Sequence, residues 1–343
     1  MNPTRIQPAH PCGVGRRRPG ALRPYARAIA ACGLMLLMAS GPAGAFDLQG
    51  HRGARGLEPE NTLPAFARAI ALGVATLELD VGVSADGAIV VAHDRRLNPD
   101  ITRDAAGAWI ASPGPRVRDL PLAELKRFDV GAIRPGTDYA RSFAGQTPRP
   151  GTAMPTLAEV AALPGAARMR FNIETKISPL APAETLPPEE FARAVIAEIR
   201  RLGIAERATL QSFDWRTLAV AAREAPELAR AYLTIERGAN ENMFKGRGAS
   251  PWTGLDIAAH GNSTPRLVAA VGGRIWSPFF RDLDARVVAE AKALGLSVIP
   301  WTVNEAVDIE RLLGWGVDGL ITDHPDRARA VLDAKGIAAK AGR

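Results

Sequence analysis

Short runs of alternating apolar and polar residues recur along the chain, and most are followed by a segment with helical spacing. We predict strands near residues 48–52, 76–81, 169–174, 208–212, 229–234, 274–277, 297–301 and 317–321. Helical patterns lie near residues 62–72, 189–202, 214–224, 284–294, 304–313 and 325–334. Strands that alternate with helices in this way predict an α/β protein with a (β/α)₈ TIM barrel. In that count, a further apolar run at 88–92 is a hairpin partner outside the barrel.

Two connections are longer than a barrel requires. Residues 95–165 follow the second predicted strand and contain many Pro, Gly and Arg residues, with one predicted short helix near Leu122–Arg127. Residues 236–271 form a second long connection, between the fifth and sixth predicted strands. We therefore predict one barrel domain over residues 46–343, with an insertion at about 95–165.

The first 45 residues have the pattern of a secretory signal peptide. A basic region that ends at Arg27 precedes an apolar run from Ala28 to Ala39, and Ala43-Gly44-Ala45 supplies the small residues of a cleavage site. The run is too short to favour a membrane-spanning helix. Arg16-Arg17-Arg18 leaves open whether export uses the general or the twin-arginine route. We expect cleavage near Ala45 and a periplasmic or secreted mature protein.

The charge and cysteine content support this division of the chain. Residues 1–45 hold six arginines and no acidic residue, which leaves 37 basic and 36 acidic residues in the remainder. A nearly neutral body argues against nucleic acid as a partner, although the whole chain carries a formal charge of +7. Both cysteines, Cys12 and Cys32, precede the cleavage site, so the mature protein needs no disulfide.

Acidic side chains gather at the ends of two predicted strands. Glu78 and Asp80 share one face of a strand because strand side chains alternate. By the same alternation, Glu174 points to the same side of a neighbouring strand. Three converging carboxylates are costly to bury without a positive partner, and a hard cation such as Ca²⁺ or Mg²⁺ takes oxygen ligands. We therefore predict a divalent metal site at Glu78, Asp80 and Glu174.

Two histidines also lie at strand ends, where barrel enzymes carry their reacting groups. His51 follows the first predicted strand and His93 follows the run at 88–92. The ordinary pKa of histidine lies near neutrality, so one could accept a proton and the other donate one. We predict these two residues as the catalytic acid–base pair.

Several motifs occur in the order of a known family. They are His51-Arg52-Gly53, Pro59-Glu60-Asn61-Thr62, Glu78-Leu79-Asp80-Val81, His93-Asp94, Asn172-Ile173-Glu174-Thr175-Lys176, Gln211-Ser212-Phe213, Trp301-Thr302-Val303-Asn304 and Gly319-Leu320-Ile321-Thr322-Asp323. With them, the chain from about Asp47 to Leu332 resembles the glycerophosphodiester phosphodiesterases, a branch of the phosphatidylinositol phospholipase C-like TIM barrels. The resemblance implies hydrolysis of a small glycerophosphodiester to sn-glycerol 3-phosphate and an alcohol, with the metal ligands at the three acids already named.

Other polar residues take supporting roles in this interpretation. Arg52 and Lys176 could hold the phosphate oxygens, or could instead pair with the three acids. Gln211 points into the barrel, where it could contact the substrate or support residues that do, and Trp301 could pack on the glycerol. Glu60 could orient His51 or Arg52, or simply favour the start of a helix. Asp318 and Asp323 are interpreted as structural caps of the last β/α unit.

Three functions remain open on this evidence. The first is the glycerophosphodiester phosphodiesterase. The second is a phospholipase D-like or sphingomyelinase-like enzyme on the same barrel, and the third is a binding protein without turnover. The long connections Ala181–Glu190 and Arg237–Trp252 contain only Phe244 and Trp252 as aromatic residues. We therefore expect no stable membrane anchor in the mature protein.

Overall fold

The computed structural model describes residues 46–339, and a barrel of parallel strands runs through them as predicted. The strands are β1 Asp47–Gly50, β2 Thr76–Val83, β3 Ile89–Val91, β4 Arg170–Thr175, β5 Ala208–Ser212, β6 Ala229–Thr234, β7 Ile275–Pro278, β8 Ser297–Val298 and β9 Gly319–Thr322. Eight of them lie in the order β8-β7-β6-β5-β4-β2-β1-β9. The remaining strand, β3, pairs antiparallel with β2, which confirms the hairpin interpretation of residues 88–92.

Backbone hydrogen bonds join the β8 and β9 regions, which are the two ends of this strand order. The amide of Asp318 donates to the carbonyl of Val298, and the amide of Ile321 donates to that of Pro300, both at 2.9 Å. The strand predicted at 297–301 is shorter than expected, ending at Val298. Pro300 has no amide hydrogen to give to a strand ladder, which accounts for the early end.

The helices predicted between the strands are all present, with ends shifted by at most two residues. They are α1 Leu63–Ala71, α5 Pro188–Arg201, α6 Trp215–Glu224, α8 Ala285–Ala293, α9 Ala306–Gly314 and α10 Pro325–Ala334. Thr62 caps the start of α1, since its hydroxyl accepts the amide of Ala65 at 3.3 Å. Its neighbour Asn61 instead has a positive φ of 55° and turns its side chain toward the barrel interior.

The prediction of a single short helix in residues 95–165 was wrong. That segment contains three α-helices, α2 Leu122–Leu125, α3 Asp138–Ser142 and α4 Leu157–Ala161, and the second long connection contains α7 Thr264–Ala270. Helices of one or two turns are too short for an apolar repeat to be recognised in the sequence. The insertion also has a small apolar cluster against the β3 hairpin, formed by Val90, Leu97, Val117, Leu125, Val130 and Met154.

The alternation within β2 separates an apolar outer layer from a polar interior. Leu77, Leu79 and Val81 join the large core between the barrel and its helices. Glu78 and Asp80 are also buried but lie on the opposite face of the strand. Parallel pairing then sets Asp80 beside Glu174 of β4, and Glu174 beside Gln211 of β5. The fold therefore brings the polar strand residues together at the carboxyl end of the barrel. Within residues 46–339, no helix is both long and apolar enough to cross a membrane.

Candidate active site

The three predicted metal ligands form one cluster at the carboxyl ends of β2 and β4. Glu78, Asp80 and Glu174 each offer a carboxylate oxygen, and these oxygens all lie within 4.8 Å of one another. At least nine-tenths of each side chain is buried. The alternation of side chains along the strands predicted that these carboxylates converge. The register between β2 and β4 accounts for their convergence.

The three carboxylates do not share one electrostatic environment. Burial and the charge of Asp80 raise the pKa of Glu78 well above its usual value. Burial also raises the pKa of Glu174, to about 7, although the ammonium of Lys176 opposes that shift. Burial disfavours the ionised form of Asp80 as well, yet the nearby cations, Arg52 first among them, and the hydrogen bond from Asn61 together outweigh it and hold the pKa of Asp80 below its usual value. Without a further cation, this cluster thus holds more negative charge than its surroundings compensate.

This donor set fits a hard divalent cation. All three groups supply oxygen, which Ca²⁺ and Mg²⁺ prefer as ligands. Asp80 Oδ2 accepts from the Asn61 amide at 2.9 Å, but the buried Oδ1 has no hydrogen-bond partner among the described residues. A buried carboxylate oxygen without a partner is unfavourable in a folded protein, and a bound cation would remove that cost.

His51 lies at the end of β1 and makes a hydrogen bond that the sequence analysis did not foresee. Its Nδ1 lies 2.6 Å from Oδ1 of Asp323, which directly follows β9. The predicted role of Asp323 as a helix cap was wrong, because α10 begins after His324 and Asp323 faces the site instead. A carboxylate can only accept a hydrogen bond, so Nδ1 carries the proton and Nε2 is the free ring nitrogen.

Burial and the carboxylate of Asp323 act in opposite directions on His51. Burial lowers the pKa of the imidazole, whereas the charge and hydrogen bond of Asp323 raise it, and the net shift is downward. The Asp323 carboxylate is itself held by Asn304 Nδ2 at 2.7 Å. Despite its burial, the pKa of Asp323 lies well below its usual value because His51 and Arg55 stabilise the ionised form. Asp318, the other predicted cap, instead accepts the backbone amide of Val298 at the seam of the barrel.

His93 faces the same cavity and has a carboxylate partner of its own. Its Nδ1 lies 2.8 Å from Oδ1 of Asp94, and Asp94 Oδ2 accepts from the Asn98 amide at 2.9 Å. Burial, together with the charges of Arg52 and Lys176, lowers the pKa of His93 well below its usual value. In both histidines, a carboxylate therefore fixes the neutral form of the ring in the tautomer that carries its hydrogen on Nδ1.

The two predicted phosphate-binding cations are paired with acids, which was the alternative weighed from the sequence. Nε of Arg52 lies 3.2 Å from Asp80, and its Nη1 donates to Glu60 at 2.8 Å. Nζ of Lys176 lies 2.7 Å from Glu174 and 3.6 Å from Asp80. Of the roles weighed for Glu60, the structure is consistent with orientation of Arg52.

Two residues of the site were missed because neither stands in a recognisable motif. Arg55 contacts Glu60 at 2.7 Å, and its guanidinium lies 4.3 Å from the ring centre of Phe143. Tyr139 comes from helix α3 of the insertion, and its hydroxyl contacts both Arg55 and Glu60. The insertion therefore contacts Arg55, which borders the site, and Glu60 behind it, although its sequence carries no signal of that role.

Both histidines and two of the three predicted metal ligands border one cavity of about 190 Å³. Its charged and amide-bearing residues are His51, Arg52, Arg55, Glu78, His93, Glu174, Lys176 and Gln211, and the rest of the wall consists of the apolar Phe213, Leu233, Trp301 and Ile321 with Thr302. Trp301 packs edge-to-face on Phe213 with ring centres 5.3 Å apart, and its indole donates to the carbonyl of Ser277 at 2.9 Å. Gln211 donates to Glu78 Oε1 at 2.7 Å, so it supports a predicted metal ligand from the floor of the cavity.

Comparison with known proteins agrees with this arrangement. Residues 51–327 match the sequence profile of the glycerophosphoryl diester phosphodiesterase family. The chain belongs to this family. A glycerophosphodiester phosphodiesterase of Caldanaerobacter subterraneus is 30% identical over 276 residues, which cover 80% of this chain and 93% of the relative. A protein of the same name from Bacillus subtilis is 30% identical over 280 residues, with coverage of 80% and 83%.

Solved structures of family members share the barrel. A candidate glycerophosphoryl diester phosphodiesterase from Silicibacter pomeroyi superposes with a TM-score of 0.74 at 36% identity, covering 88% of this chain and 97% of its own. An Oleispira antarctica phosphodiesterase, solved with the product sn-glycerol-3-phosphate, has a TM-score of 0.61 at 22% identity, with coverage of 84% and 97%. The similarity to the Oleispira antarctica structure shows only that the two proteins share a fold. The predicted family, enzyme class and TIM-barrel fold are confirmed.

Proposed function

We propose that this phosphodiesterase hydrolyses glycerophosphodiesters to sn-glycerol 3-phosphate and an alcohol by two-histidine acid–base catalysis supported by a divalent cation. The observation that carries the proposal is the set of groups around one cavity. Two carboxylate-paired histidines, His51 and His93, border it together with two members of the acidic cluster, Glu78 and Glu174, while Asp80 joins that cluster beside them. The relatives that carry the same enzyme name support the choice of substrate class.

In this mechanism, one histidine takes the proton of the attacking hydroxyl as the new P–O bond forms. The other starts with both ring nitrogens protonated and gives its Nε2 proton to the alcohol oxygen as the bond between that oxygen and phosphorus breaks. The paired carboxylates, Asp323 and Asp94, keep Nδ1 protonated, so Nε2 is the nitrogen that exchanges protons. The attacking hydroxyl is either that of water or the 2-hydroxyl of the glycerol, which would give a cyclic intermediate.

Glu78, Asp80 and Glu174 would hold the cation, either Ca²⁺ or Mg²⁺. When bound, it would neutralise charge on the phosphoryl group and help to position the attacking oxygen. Lys176 and Arg52 would then lose part of their attraction to the acids, since the cation takes over that role. Both border the cavity and could turn their charge to the phosphate oxygens. Trp301 would pack against the carbon atoms of the glycerol.

The test of the proposal is release of sn-glycerol 3-phosphate from glycerophosphocholine, measured with and without a chelator. We expect release in the presence of Ca²⁺ or Mg²⁺, loss on chelation, and recovery when the metal is restored. Binding of glycerophosphocholine without release under all metal conditions would favour the binding-protein alternative instead.

The contact between His51 and Asp323 gives a prediction about pH. Asp323 raises the pKa of His51, so Asp323→Asn lowers that pKa further. We expect the limb of the kcat/KM profile that His51 controls to move to lower pH. Turnover should fall by about 10²-fold or more, because the tautomer is no longer fixed. Asp318→Asn is the matched control, since Asp318 belongs to the same β/α unit but accepts the backbone amide of Val298 and not His51. An unshifted profile in Asp323→Asn would contradict the proposed role.

The surface around the cavity predicts a preference for water-soluble substrates. Among the described residues, the exposed large apolar side chains are Leu180, Val271, Leu294 and Val307, which lie on four separate elements and loops. An enzyme that works on a bilayer needs a contiguous apolar or basic surface beside its site. We expect faster turnover of glycerophosphocholine than of phosphatidylcholine or sphingomyelin vesicles at matched concentration. Faster turnover of the vesicles would instead favour the phospholipase alternative.

We also propose that the enzyme acts outside the cytoplasm. The predicted signal peptide, residues 1–45, lies outside the described residues, so this proposal depends on the sequence pattern alone. Sequencing the amino terminus of the exported protein should show a start at or near Phe46. A protein that retains its first residues in the cytoplasm would contradict it.

A further inference from the structure

A chain of buried amide side chains runs through the barrel to the acidic cluster. Asp47, at the amino-terminal end of β1, accepts from Gln49 Nε2 at 3.1 Å. Asn172 Nδ2 then donates both to Gln49 Oε1 at 2.8 Å and to Gln211 Oε1 at 2.9 Å. Gln211 Nε2 completes the chain by donating to Glu78 Oε1 at 2.7 Å. We call these four residues, Asp47, Gln49, Asn172 and Gln211, the interior chain.

The chemistry at the two ends determines the orientation of each amide. A carboxylate only accepts hydrogen bonds, so Gln49 must turn its NH₂ group toward Asp47 and its carbonyl toward Asn172. At the other end, Glu78 requires the NH₂ group of Gln211, which leaves the carbonyl of Gln211 facing Asn172. Two carbonyl oxygens therefore meet at Asn172, and only an NH₂ group, with its two hydrogens, satisfies both. The donor pattern is consistent from one end of the barrel to the other.

The far end of the interior chain is itself held firmly. Asp47 also accepts from the Thr76 hydroxyl at 2.7 Å and from the Arg170 guanidinium at 2.6 Å. These contacts surround a polar cavity of about 230 Å³ at the amino-terminal mouth of the barrel. Asn172 borders this cavity. Of the side-chain amide oxygens of the interior chain, its Oδ1 is the one without a hydrogen-bond partner among the described residues. The amide can therefore lose its orientation if its two NH₂ bonds are removed.

The interior chain also leaves Glu78 free to bind a further group. Oε1 accepts from Gln211, and Oε2 accepts from the backbone amide of Arg52 at 2.9 Å. Each carboxylate oxygen has two acceptor sites. One donor on each oxygen fixes the plane of the carboxylate and leaves the second acceptor site of each oxygen free. The free sites then lie in the cluster shared with Asp80 and Glu174.

We infer that the interior chain is a positioning device for Glu78, which fixes that carboxylate in the orientation that takes up the cation. This inference rests on the metal site of the proposed function. Three of the four, Asp47, Gln49 and Asn172, do not line the active-site cavity, and their hydrogen bonds described above go to residues other than the proposed metal ligands. Partners that orient a metal ligand commonly contribute about 10- to 100-fold to metal affinity.

Asn172→Asp is the sharpest test because it keeps the shape of the side chain and replaces the NH₂ group by an acceptor oxygen. The new oxygen has no hydrogen to donate to the carbonyl oxygens of Gln49 and Gln211. Both hydrogen bonds are lost, and the interior chain is broken at its centre. We expect the dissociation constant for Mg²⁺ or Ca²⁺ alone, measured by calorimetry, to rise by about 10- to 100-fold. The added negative charge would by itself attract a cation, so tighter binding would overturn the inference. We also expect saturating metal to restore most of the activity.

Two further variants separate positioning from folding. Gln49→Met breaks the interior chain one step farther from Glu78, and we expect weaker metal binding in the same direction. Thr209→Val is the matched control, because Thr209 borders the same cavity on the strand of Gln211 but is outside the interior chain. It should bind metal like the unmodified enzyme. If Asn172→Asp does not fold, Gln49→Met decides the question.

The outcomes distinguish this inference from the proposed function. If the unmodified enzyme binds neither cation, the metal site is wrong and the inference is overturned with it. If the unmodified enzyme binds metal and a folded Asn172→Asp binds it with unchanged affinity, the metal site stands and the interior chain has no positioning role.

Discussion

Asp80→Ala is expected to give a folded enzyme whose activity no longer responds to Ca²⁺ or Mg²⁺. The carboxylate it removes belongs with those of Glu78 and Glu174 to the predicted ligand set, and one of its oxygens is buried without a hydrogen-bond partner among the described residues. Lewis-acid stabilisation of a phosphoryl group is worth several kcal/mol, so kcat/KM should fall by about 10³-fold or more at ordinary metal concentrations. Glu78→Ala and Glu174→Ala should behave in the same way.

Thermal unfolding gives this prediction a second readout. Burial and mutual repulsion disfavour the ionised forms of Glu78 and Glu174, so a cation that binds only the folded protein raises its stability. The melting temperature of the unmodified enzyme should therefore rise with added metal, while that of Asp80→Ala should not. Glu58→Gln is the matched control, since Glu58 is also buried but pairs with Arg149 outside the cluster. Full activity of Asp80→Ala in chelator would refute the metal assignment.

The acidic cluster could be predicted because it depends on local rules. Strand parity places Glu78 and Asp80 on one face, and parallel pairing of neighbouring strands brings Glu174 beside them. Both rules act over a few residues or between adjacent strands, and the motifs mark where the strands end. The same reasoning identified Gln211 as inward-facing.

The partners of the two histidines could not be predicted with the same certainty. Asp323 meets His51 only because β9 pairs with β1 when the barrel closes, across 272 positions of sequence. Tyr139 lies in an insertion whose short helices leave no periodic pattern, so nothing in its sequence places it beside Glu60. Asp94 was recognised as part of the His93-Asp94 motif, but its hydrogen bond to Nδ1 of His93 is evident only from the structure. Contacts set by barrel closure and by irregular loops are the part of this site that the sequence does not encode locally.

His51→Ala and His93→Ala are each expected to reduce turnover by about 10²- to 10⁴-fold, which is the usual contribution of one acid–base group. The fold should survive, since both side chains lie at the cavity and outside the apolar core. Because the two act in one proton-transfer sequence, the double variant should be little worse than the poorer single one. His260→Ala is the matched control. Its histidine lies at the end of a short 3₁₀ helix outside the cavity and should leave turnover unchanged.

The leaving group can show which histidine is the acid. A glycerophosphodiester whose alcohol is p-nitrophenol releases an anion that needs little protonation, so loss of the general acid should cost far less with it than with glycerophosphocholine. Loss of the general base should cost the same with both substrates, because the attacking hydroxyl is unchanged. We therefore expect one of the two variants, and only one, to recover most of its activity on the p-nitrophenyl substrate. Equal losses in both variants on both substrates would contradict the division into acid and base, even if each residue proved essential. Asp323 and Asp94 hold the two rings in the same tautomer, so the tautomer does not show which histidine is the acid. That role depends on which Nε2 lies beside the leaving oxygen, and the comparison of the two substrates identifies it.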